Sequence, residues 1–315
     1  MSKRVAFLFP GQASQKVGMG RDLVDAFPEA AAVFEAAREV LGFDLPKLCF
    51  EGPMDELTET RNAQPAILLH SLAVATVLRE RLGGFVPEFV AGHSLGEFSA
   101  TAAVGSLSAD DALRVVRRRG ELMWDAGQKV PGTMAAVMGL DPAAIAGALE
   151  GVDAGRVVLA NLNSTAQSVL SGDVEAIEAA IEPLKAAGAR RVMPLNVSGA
   201  FHSPLMEVVQ GDFARFLEDI SFADPGAQVV KNVTAKPCRS GDELREGFVE
   251  QLVSPVRWHE SVAWMVDEGV STFVEVGPGS VLTTMGARSF PNAEFIATSD
   301  VEGTEKVLAL LRERG

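Results

Sequence analysis

The segment Gly92-His93-Ser94-Leu95-Gly96 places a serine between two glycines, after the apolar run 89–91 and before a helix-like stretch. This strand–turn–helix context is typical of a nucleophile elbow. We expect a side chain at position 92 or 96 to clash in so tight a turn. Ser94 would then stand clear of the backbone at a helix N-terminus, where free N–H groups can stabilise an oxyanion. The alternative is a glycine-rich turn with an incidental serine.

A serine nucleophile needs a base within hydrogen-bond reach, and the chain has four histidines. His70 lies within an apolar helical run, and His259 lies where a helix begins. His93 leaves the turn in a different direction from the adjacent serine, so we expect it to shape the turn or the pocket. His202 lies in a loop rich in glycine, serine and proline, a usual place for catalytic groups. It is the candidate base, with a solvated loop histidine as the alternative.

Arg119 is the third candidate, on a predicted helix that begins after Ser108 and runs to Gln128. Its apolar stripe at helical spacing consists of Leu113, Val116 and Met123. Arg119 lies at the edge of this stripe, whereas Arg117 and Arg118 are expected on the solvated face. An arginine turned toward a core needs an anion. An internal carboxylate and a bidentately held substrate carboxylate both satisfy that need, and the spacing does not choose between them.

The elements that must position these residues alternate between strand and helix, which predicts a mainly parallel sheet covered on both faces. The predicted strands are Val5–Phe9 and Pro87–Ala91, and the predicted helices are Ala26–Val40, Pro65–Arg81 and the one after Ser108.

A separate unit is predicted between residues 131 and 195, with the order β-α-β-β-α-β of a ferredoxin-like arrangement. Its predicted elements are Thr133–Leu140, Pro142–Leu149, Arg156–Asn161, Gln167–Ser171, Val174–Ala187 and Arg190–Leu195, with a turn at Asn163-Ser164-Thr165. About 65 residues would lean on a larger neighbour for burial, so we interpret the unit as an insertion. The core then combines residues 1–130 with residues 196–315.

Composition excludes several function classes. The 315 residues carry a formal net charge of −14, which argues against nucleic acid and against an anionic membrane surface as partners. The longest apolar stretch, Ala66–Leu78, is too short and too polar to span a bilayer. The apolar run after Lys3 and Arg4 stops at Pro10-Gly11, so no signal peptide is expected. With two cysteines, Cys49 and Cys238, a reducing cytoplasm is expected.

Several motifs in order resemble those of the malonyl-CoA:acyl carrier protein transacylases, over about residues 5 to 285. They are Phe9-Pro10-Gly11-Gln12-Ala13-Ser14-Gln15, Gly92-His93-Ser94-Leu95-Gly96-Glu97-Phe98-Ser99-Ala100, Arg119-Gly120-Glu121-Leu122-Met123, Gly199-Ala200-Phe201-His202-Ser203, Gln251-Leu252-Val253-Ser254-Pro255-Val256-Arg257-Trp258 and Glu275-Val276-Gly277-Pro278-Gly279. The resemblance implies an α/β-hydrolase-like parallel-sheet core with an inserted ferredoxin-like subdomain. It also implies malonyl transfer from malonyl-CoA to acyl carrier protein through a malonyl-serine, in a ping-pong mechanism without a metal or a redox cofactor.

The resemblance implies a role for each site residue. Ser94 would be the nucleophile and His202 its general base and then general acid. The backbone N–H groups of Gln12 and Leu95 would form the oxyanion hole, and Arg119 would hold the malonyl carboxylate. The supporting residues would be Gln251, which would orient the histidine through its carbonyl, Gln64 at the pocket wall, and His93. Because the carrier protein of this family is acidic, a basic rim is expected, at Arg190 and Arg191 or at Arg117 and Arg118.

The chain departs from the family pattern at three positions that affect pocket shape. Ala13 replaces a glycine and should resist a positive φ, Phe98 replaces a frequent tyrosine, and Leu162 stands where an aromatic is common. The dyad keeps all its chemical groups. The alternatives are a stand-alone acyltransferase of polyketide synthesis, a serine (thio)esterase on the same elbow, and a carrier-protein docking module without activity. A monomer is expected for this size.

Overall fold

The computed structural model of the chain describes residues 4–313. Within them, the strands are β1 (Arg4–Phe9), β2 (Phe89–Gly92), β3 (Thr133–Met138), β4 (Val157–Ser164), β5 (Gln167–Gly172), β6 (Arg191–Pro194), β7 (Gln228–Val230), β8 (Pro237–Cys238), β9 (Val270–Glu275) and β10 (Glu294–Ala297). The helices are α1 (Arg21–Ala26), α2 (Pro28–Leu41), α3 (Leu45–Glu51), α4 (Met54–Thr58), α5 (Thr60–Arg81), α6 (Gly96–Ala103), α7 (Ala109–Lys129), α8 (Pro142–Leu149), α9 (Val174–Ala186), α10 (Glu207–Glu218), α11 (Gly241–Gln251), α12 (Trp258–Asp267), α13 (Val281–Ser289) and α14 (Val301–Arg312), with a 3-10 turn at Pro204–Met206.

The larger sheet has six strands in the order β10-β9-β1-β2-β7-β8. All neighbours are parallel except the edge pair β7 and β8. In the register of β1, Phe9 pairs with Gly92 of β2 and Leu8 pairs with Glu275 of β9. The carboxyl ends of these strands therefore meet at one edge of the sheet, the edge where ligands bind in open parallel sheets.

Both faces of this sheet are buried, as the sequence predicts. Side chains on β1 alternate between two apolar clusters, with Val5, Phe7 and Phe9 on one side and Ala6 and Leu8 on the other. The first cluster includes residues of α2, α5 and α7, and the second includes residues of α12 and α13. A parallel strand covered on both faces needs such a continuous apolar run.

The smaller sheet is antiparallel, in the order β4-β5-β3-β6. With α8 and α9 between its strands, it has the predicted β-α-β-β-α-β order, and its apolar core includes Ile145, Leu170 and Ile177. A bridge between Asn161 and Val256 joins its edge strand β4 to the larger unit. The division at residues 130/131 and 195/196 stays a prediction. Residues 1–3, which include Lys3, and residues 314–315 lie outside the described residues.

Three predicted elements are corrected. The helix expected over Ala26–Val40 begins later, at Pro28, and Phe27 separates it from the short helix α1 that ends at Ala26. The turn expected at residues 163–165 starts later, because β4 continues through Ser164. The helix expected from Pro65 begins at Thr60 and includes this proline.

An internal proline deprives the carbonyl four residues earlier of its helical partner. Here that carbonyl, of Arg61, accepts a hydrogen bond of 3.0 Å from Arg117 Nη1 on the neighbouring α7. The helix therefore passes through Pro65 because another element supplies the missing donor. In residues 4–313, no helix is long and apolar enough to cross a membrane.

Candidate active site

The turn between β2 and α6 is as tight as its glycines predict. A Cβ on Gly92 would lie 1.8 Å from the Gly96 carbonyl carbon, and one on Gly96 would lie 2.0 Å from the Phe9 carbonyl oxygen. Neither position therefore accepts a side chain. Ser94 between them has φ 52°, in the left-handed region that non-glycine residues rarely adopt.

Unfavourable backbone conformations are concentrated around Ser94. In residues 4–313, four residues other than glycine have a positive φ, and three of them, Ala13, Ser94 and His202, line one cavity of about 170 Å³. Such conformations cost about 1–3 kcal/mol each and cluster at functional sites. The expected resistance of Ala13 to a positive φ is overcome, since its φ is 78°.

Ser94 and His202 form a hydrogen-bonded pair. The distance between Ser94 Oγ and His202 Nε2 is 2.7 Å, and His202 Nδ1 lies 2.9 Å from the main-chain oxygen of Gln251. Because a carbonyl oxygen only accepts, Nδ1 carries the proton and Nε2 is left to accept from the serine hydroxyl. The pair can therefore remove a proton from Ser94, with the carbonyl of residue 251 orienting the imidazole.

The environment keeps His202 neutral. Burial, and next the positive charge of Arg119, lower the pKa of His202 from 6.5 to about 3. A histidine with so low a pKa keeps its free lone pair at neutral pH. The imidazole is therefore available as a base before substrate binds.

Arg119 is buried, with 1% of its surface exposed, and its nearest hydrogen-bond partners are all uncharged. Nη1 donates to Gln64 Oε1 at 2.8 Å, and Nη2 donates to Gln251 Oε1 at 2.9 Å and to Ser94 Oγ at 3.1 Å. Within the described residues Nε has no hydrogen-bond partner, and the guanidinium carbon lies 5.3 Å from the centre of the Phe98 ring.

The sequence leaves open whether an internal carboxylate pairs with Arg119. In residues 4–313 no carboxylate oxygen lies within 4 Å of its guanidinium, so it forms no ion pair. Burial lowers the pKa of Arg119 to about 9, opposed by the charge of Glu97, and the side chain stays cationic at neutral pH. A buried cation without an adjacent anion is costly, so the site is suited to an anionic ligand beside Ser94.

Glu97 and Asn232 belong to the site although the sequence analysis does not identify them. Asn232 Oδ1 accepts from the Ser94 N–H at 2.7 Å, and Asn232 Nδ2 donates to the Gly92 oxygen at 2.6 Å. Glu97 Oε2 accepts from the Asn232 N–H at 2.8 Å and from Gln251 Nε2 at 3.1 Å. The available signal is a carboxylate in α6, a helix otherwise made of small and apolar residues.

Gln12 and Leu95 also line the Ser94 cavity. Gln12 follows β1 and Leu95 directly follows Ser94, so their backbones approach the serine from two adjacent strands. Among the described residues, neither backbone N–H donates a hydrogen bond. Two unused donors on residues that line the same cavity as Ser94 are suited to form an oxyanion hole.

The remaining histidines lie where the sequence predicts. His93 lines the cavity, with Nε2 2.9 Å from Asn163 Oδ1 and its ring 5.5 Å from that of Trp258. His70 is fully buried in α5, and His259 lies at the start of α12. Neither of these two lines the cavity.

Arg117 corrects a prediction. It was expected on a solvated face with Arg118, but it is half-buried and donates to the Arg61 oxygen, to Asn62 Oδ1 and to Glu121 Oε1. Arg118 lies 3.8 Å from Glu121. In the described part of the chain, no cluster of three or more histidine, cysteine or acidic side chains could hold a metal ion.

Comparisons with known proteins give a consistent picture. The acyl transferase domain family matches residues 6–308. The malonyl CoA-acyl carrier protein transacylase of Bacillus subtilis (strain 168) is 43% identical, in an alignment that covers 99% of this chain and 98% of that protein. The acyl-carrier-protein S-malonyltransferase of Bartonella henselae superposes with a TM-score of 0.94 at 38% identity, covering 98% of this chain and 99% of that one. A malonyl-transacylase solved in complex with its type II PKS acyl-carrier protein superposes with a TM-score of 0.93 at 40% identity, covering 98% and 99%.

Proposed function

This chain belongs to the acyl transferase domain family, and we propose that it transfers a malonyl group from malonyl-CoA to the phosphopantetheine thiol of acyl carrier protein. One observation carries the proposal. The Ser94 hydroxyl lies 2.7 Å from the neutral imidazole of His202 and 3.1 Å from the buried guanidinium of Arg119. A nucleophile between a base and an unpaired buried cation fits an acyl group that carries its own carboxylate.

In the first half-reaction, Ser94 Oγ attacks the thioester carbonyl while His202 Nε2 accepts the hydroxyl proton. The backbone N–H groups of Gln12 and Leu95 stabilise the oxyanion. Such stabilisation lowers the barrier by several kcal/mol in a site that excludes water. Collapse breaks the carbon–sulfur bond. Coenzyme A leaves with the proton that His202 returns, and a malonyl ester remains on the serine.

The second half-reaction runs the same steps with a new nucleophile. His202 accepts the proton of the phosphopantetheine thiol, whose sulfur attacks the serine ester. The oxyanion forms against the same two donors, the ester bond breaks and Ser94 recovers the proton. These steps use the chain's own groups and two sulfur-containing substrates, so we propose no cofactor and no metal.

Arg119 selects the acyl group. A malonyl carboxylate placed against its guanidinium would give the buried cation a charged partner, with two parallel hydrogen bonds. An acetyl group would leave the cation without one, so part of the desolvation penalty would be uncompensated. Gln64 and Gln251 hold the guanidinium from two sides and thereby fix the direction from which the carboxylate binds.

For the carrier protein, Arg190 and Arg191 are the better docking candidates. Both are exposed, and neither forms an ion pair within residues 4–313. Arg117, by contrast, is committed to three partners in its own chain. We expect the Arg190→Glu/Arg191→Glu double variant to slow discharge to carrier protein while leaving acylation by saturating malonyl-CoA unchanged.

A polyketide pathway is the alternative setting for the same chemistry, because one of the similar solved structures is bound to a type II PKS acyl-carrier protein. Discharge rates with fatty-acid and polyketide carrier proteins distinguish the two settings. The unpaired Cys49 and Cys238, both buried, support a reducing cytoplasm as the place of action. Since one chain supplies the whole Ser94 site, we propose a monomer, which light scattering would test.

The proposal is tested by intact-protein mass after brief mixing with malonyl-CoA or acetyl-CoA. We expect a malonyl adduct on the wild type and none on Ser94→Ala. Arg119→Leu should lose about 100-fold or more in malonylation while acetylation changes little. An adduct that forms equally from both donors and is indifferent to Arg119 contradicts the malonyl assignment, and rapid hydrolysis without carrier protein favours an esterase. No adduct on any variant favours a docking module.

A further inference from the structure

A buried carboxyl group shares two hydrogen-bond partners with the backbone of the candidate nucleophile. Glu97 is 1% exposed and stands in the first turn of α6, three residues after Ser94. Both of its hydrogen bonds end on one oxygen, Oε2, which accepts from the Asn232 N–H and from Gln251 Nε2. The two donors come from two different segments of the chain, the loop after β7 and the end of α11.

The two residues held by Glu97 are the ones that hold the Ser94 backbone. Asn232 Oδ1 accepts from the Ser94 N–H at 2.7 Å, and Gln251 Nε2 donates to the Ser94 carbonyl oxygen at 3.1 Å. Asn232 is further oriented by its 2.6 Å bond to the Gly92 oxygen. The N–H and the C=O of Ser94 are therefore both hydrogen-bonded, and the two residues that bond them both donate to the same carboxyl oxygen of Glu97.

We propose that Glu97 is a positioning residue that fixes Asn232 and Gln251, and through them keeps Ser94 in its left-handed conformation with Oγ directed at His202. This inference rests on the proposed role of Ser94 as the nucleophile. It also explains the choice of oxyanion donors. The Ser94 N–H is occupied by Asn232, whereas the N–H groups of Gln12 and Leu95 donate no hydrogen bond within residues 4–313 and are free for the substrate oxygen.

A purely structural role does not account for this arrangement. Burying a carboxyl group costs stability, and an apolar side chain of similar volume would fill the space at lower cost. Burial raises the pKa of Glu97 to about 7, opposed by its hydrogen bonds and by Lys231 and Arg119. Oε2 can accept both hydrogen bonds when the carboxyl group is ionised. It can also accept both when the group is protonated, if the proton is on Oε1. The position of the acceptor oxygen is therefore what the site uses, more than its charge.

That distinction can be measured with four variants. Glu97→Gln keeps an acceptor oxygen in place and removes the charge, whereas Glu97→Asp keeps the charge and withdraws the oxygen by one methylene. Glu97→Leu removes both. Glu275→Leu is the matched control, because it removes a second buried carboxyl group with two hydrogen bonds, to the Leu282 and Thr283 N–H groups, far along the chain from Ser94.

The rate of Ser94 malonylation at saturating malonyl-CoA is measured by rapid quench and intact mass, per folded protein. We expect Glu97→Gln to stay within about threefold of the wild type, Glu97→Asp to slow at least about tenfold and Glu97→Leu about 100-fold, the scale of a 1 Å misplacement. The malonyl-CoA concentration for half-maximal rate should stay within about threefold. Glu275→Leu should acylate at the wild-type rate.

Each other outcome has a defined meaning. A wild-type rate in Glu97→Asp together with a slow Glu97→Gln shows that charge matters and overturns the positioning role. Equal slowing in Glu97→Leu and Glu275→Leu reduces the effect to loss of stability and also overturns it. If Glu97→Leu does not fold, the Gln and Asp pair decides the question. If the wild type forms no adduct, the proposed function itself is refuted. If the wild type acylates normally and all Glu97 variants match its rate, only the positioning role of Glu97 is overturned.

Discussion

Two turns on either side of β1 contain a buried glutamate and differ in where its partners come from. In the β9 turn, residues 275–283, Glu275 accepts from the N–H groups of residues 282 and 283, seven and eight positions along the chain. In the β2 turn, residues 92–97, the partners of Glu97 lie 135 and 154 positions away. The first carboxyl group caps its own helix, and the second joins three distant segments.

The turns also differ in which residue bears the unfavourable backbone conformation. The β9 turn has glycines there, with φ 148° at Gly277 and 78° at Gly279. The β2 turn has Ser94 there, and the proposed function requires its hydroxyl, so glycine could not replace it in that role. A turn that only reverses the chain can use residues that tolerate its geometry, whereas a catalytic turn needs neighbours that hold an unfavourable one.

The largest expected effect is the loss of malonylation rate when His202, the partner of Ser94 that is distant in the sequence, is removed. His202→Ala should lower the malonylation rate about 10⁴-fold, because Ser94 loses the base that accepts its proton. The matched control is His259→Ala, outside the cavity, with an unchanged rate. A loss of less than tenfold in the malonylation rate of His202→Ala, measured by rapid quench, would mean that Ser94 reacts without His202 as its base.

The next effect compares the two carboxyl groups by pH. Burial raises the pKa of both glutamates, Glu97 and Glu275, and for Glu97 it raises the pKa from 4.5 to about 7. Between pH 4.5 and 7 the folded protein binds more protons at Glu97 than the unfolded chain, so wild-type stability falls as pH rises through this window. Glu97→Gln should therefore gain stability relative to wild type, by at most about 3 kcal/mol at pH 8 compared with pH 4.5.

Thermal unfolding at several pH values measures this difference. Glu275→Gln should show a gain of the same sign, because the pKa of its carboxyl group is also raised. A gain for Glu97→Gln that shrinks with rising pH would mean that the folded protein stabilises the Glu97 carboxylate.

A smaller effect is expected on stability from the β9 turn alone. Glu275→Leu leaves two helix N–H groups without acceptors, which should cost about 2 kcal/mol and lower the unfolding midpoint by about 3 °C in a chain of 315 residues. Acylation per folded molecule should stay the same. A loss of rate without a loss of stability would erase the distinction between the two turns.

The smallest effect concerns Ala13, which has a positive φ in the cavity wall without being a glycine. Ala13→Gly should relieve about 1–2 kcal/mol of backbone strain and lose part of it to the greater freedom of the unfolded chain. The net rise in the unfolding midpoint should be about 1–2 °C by calorimetry. A fall would show that side-chain contacts of Ala13 outweigh its strain.

Local patterns predict much of this architecture because their causes are local. Ser108 caps α7 by accepting from the Asp111 N–H, as the serine before an acidic first turn predicts. The alternating elements of the smaller sheet are equally readable from the sequence. By contrast, β7 has three residues, too few for an alternation pattern, although it places Asn232 at the sheet edge. The helix start before Pro65 is also hidden, since its stability depends on a donor from α7.

The sequence by itself determined the candidate chemistry: a serine in a turn that only glycine can flank, a loop histidine, and an arginine at the edge of an apolar stripe. The tertiary structure alone decided that Arg119 has no carboxylate partner within residues 4–313, and that Asn232 and Gln251, both bonded to Glu97, hold the Ser94 backbone. The physical reason is reach. A hydrogen bond requires its atoms within about 3 Å, and between residues 94 and 202, 232 or 251 that distance depends on how the sheet and its helices pack.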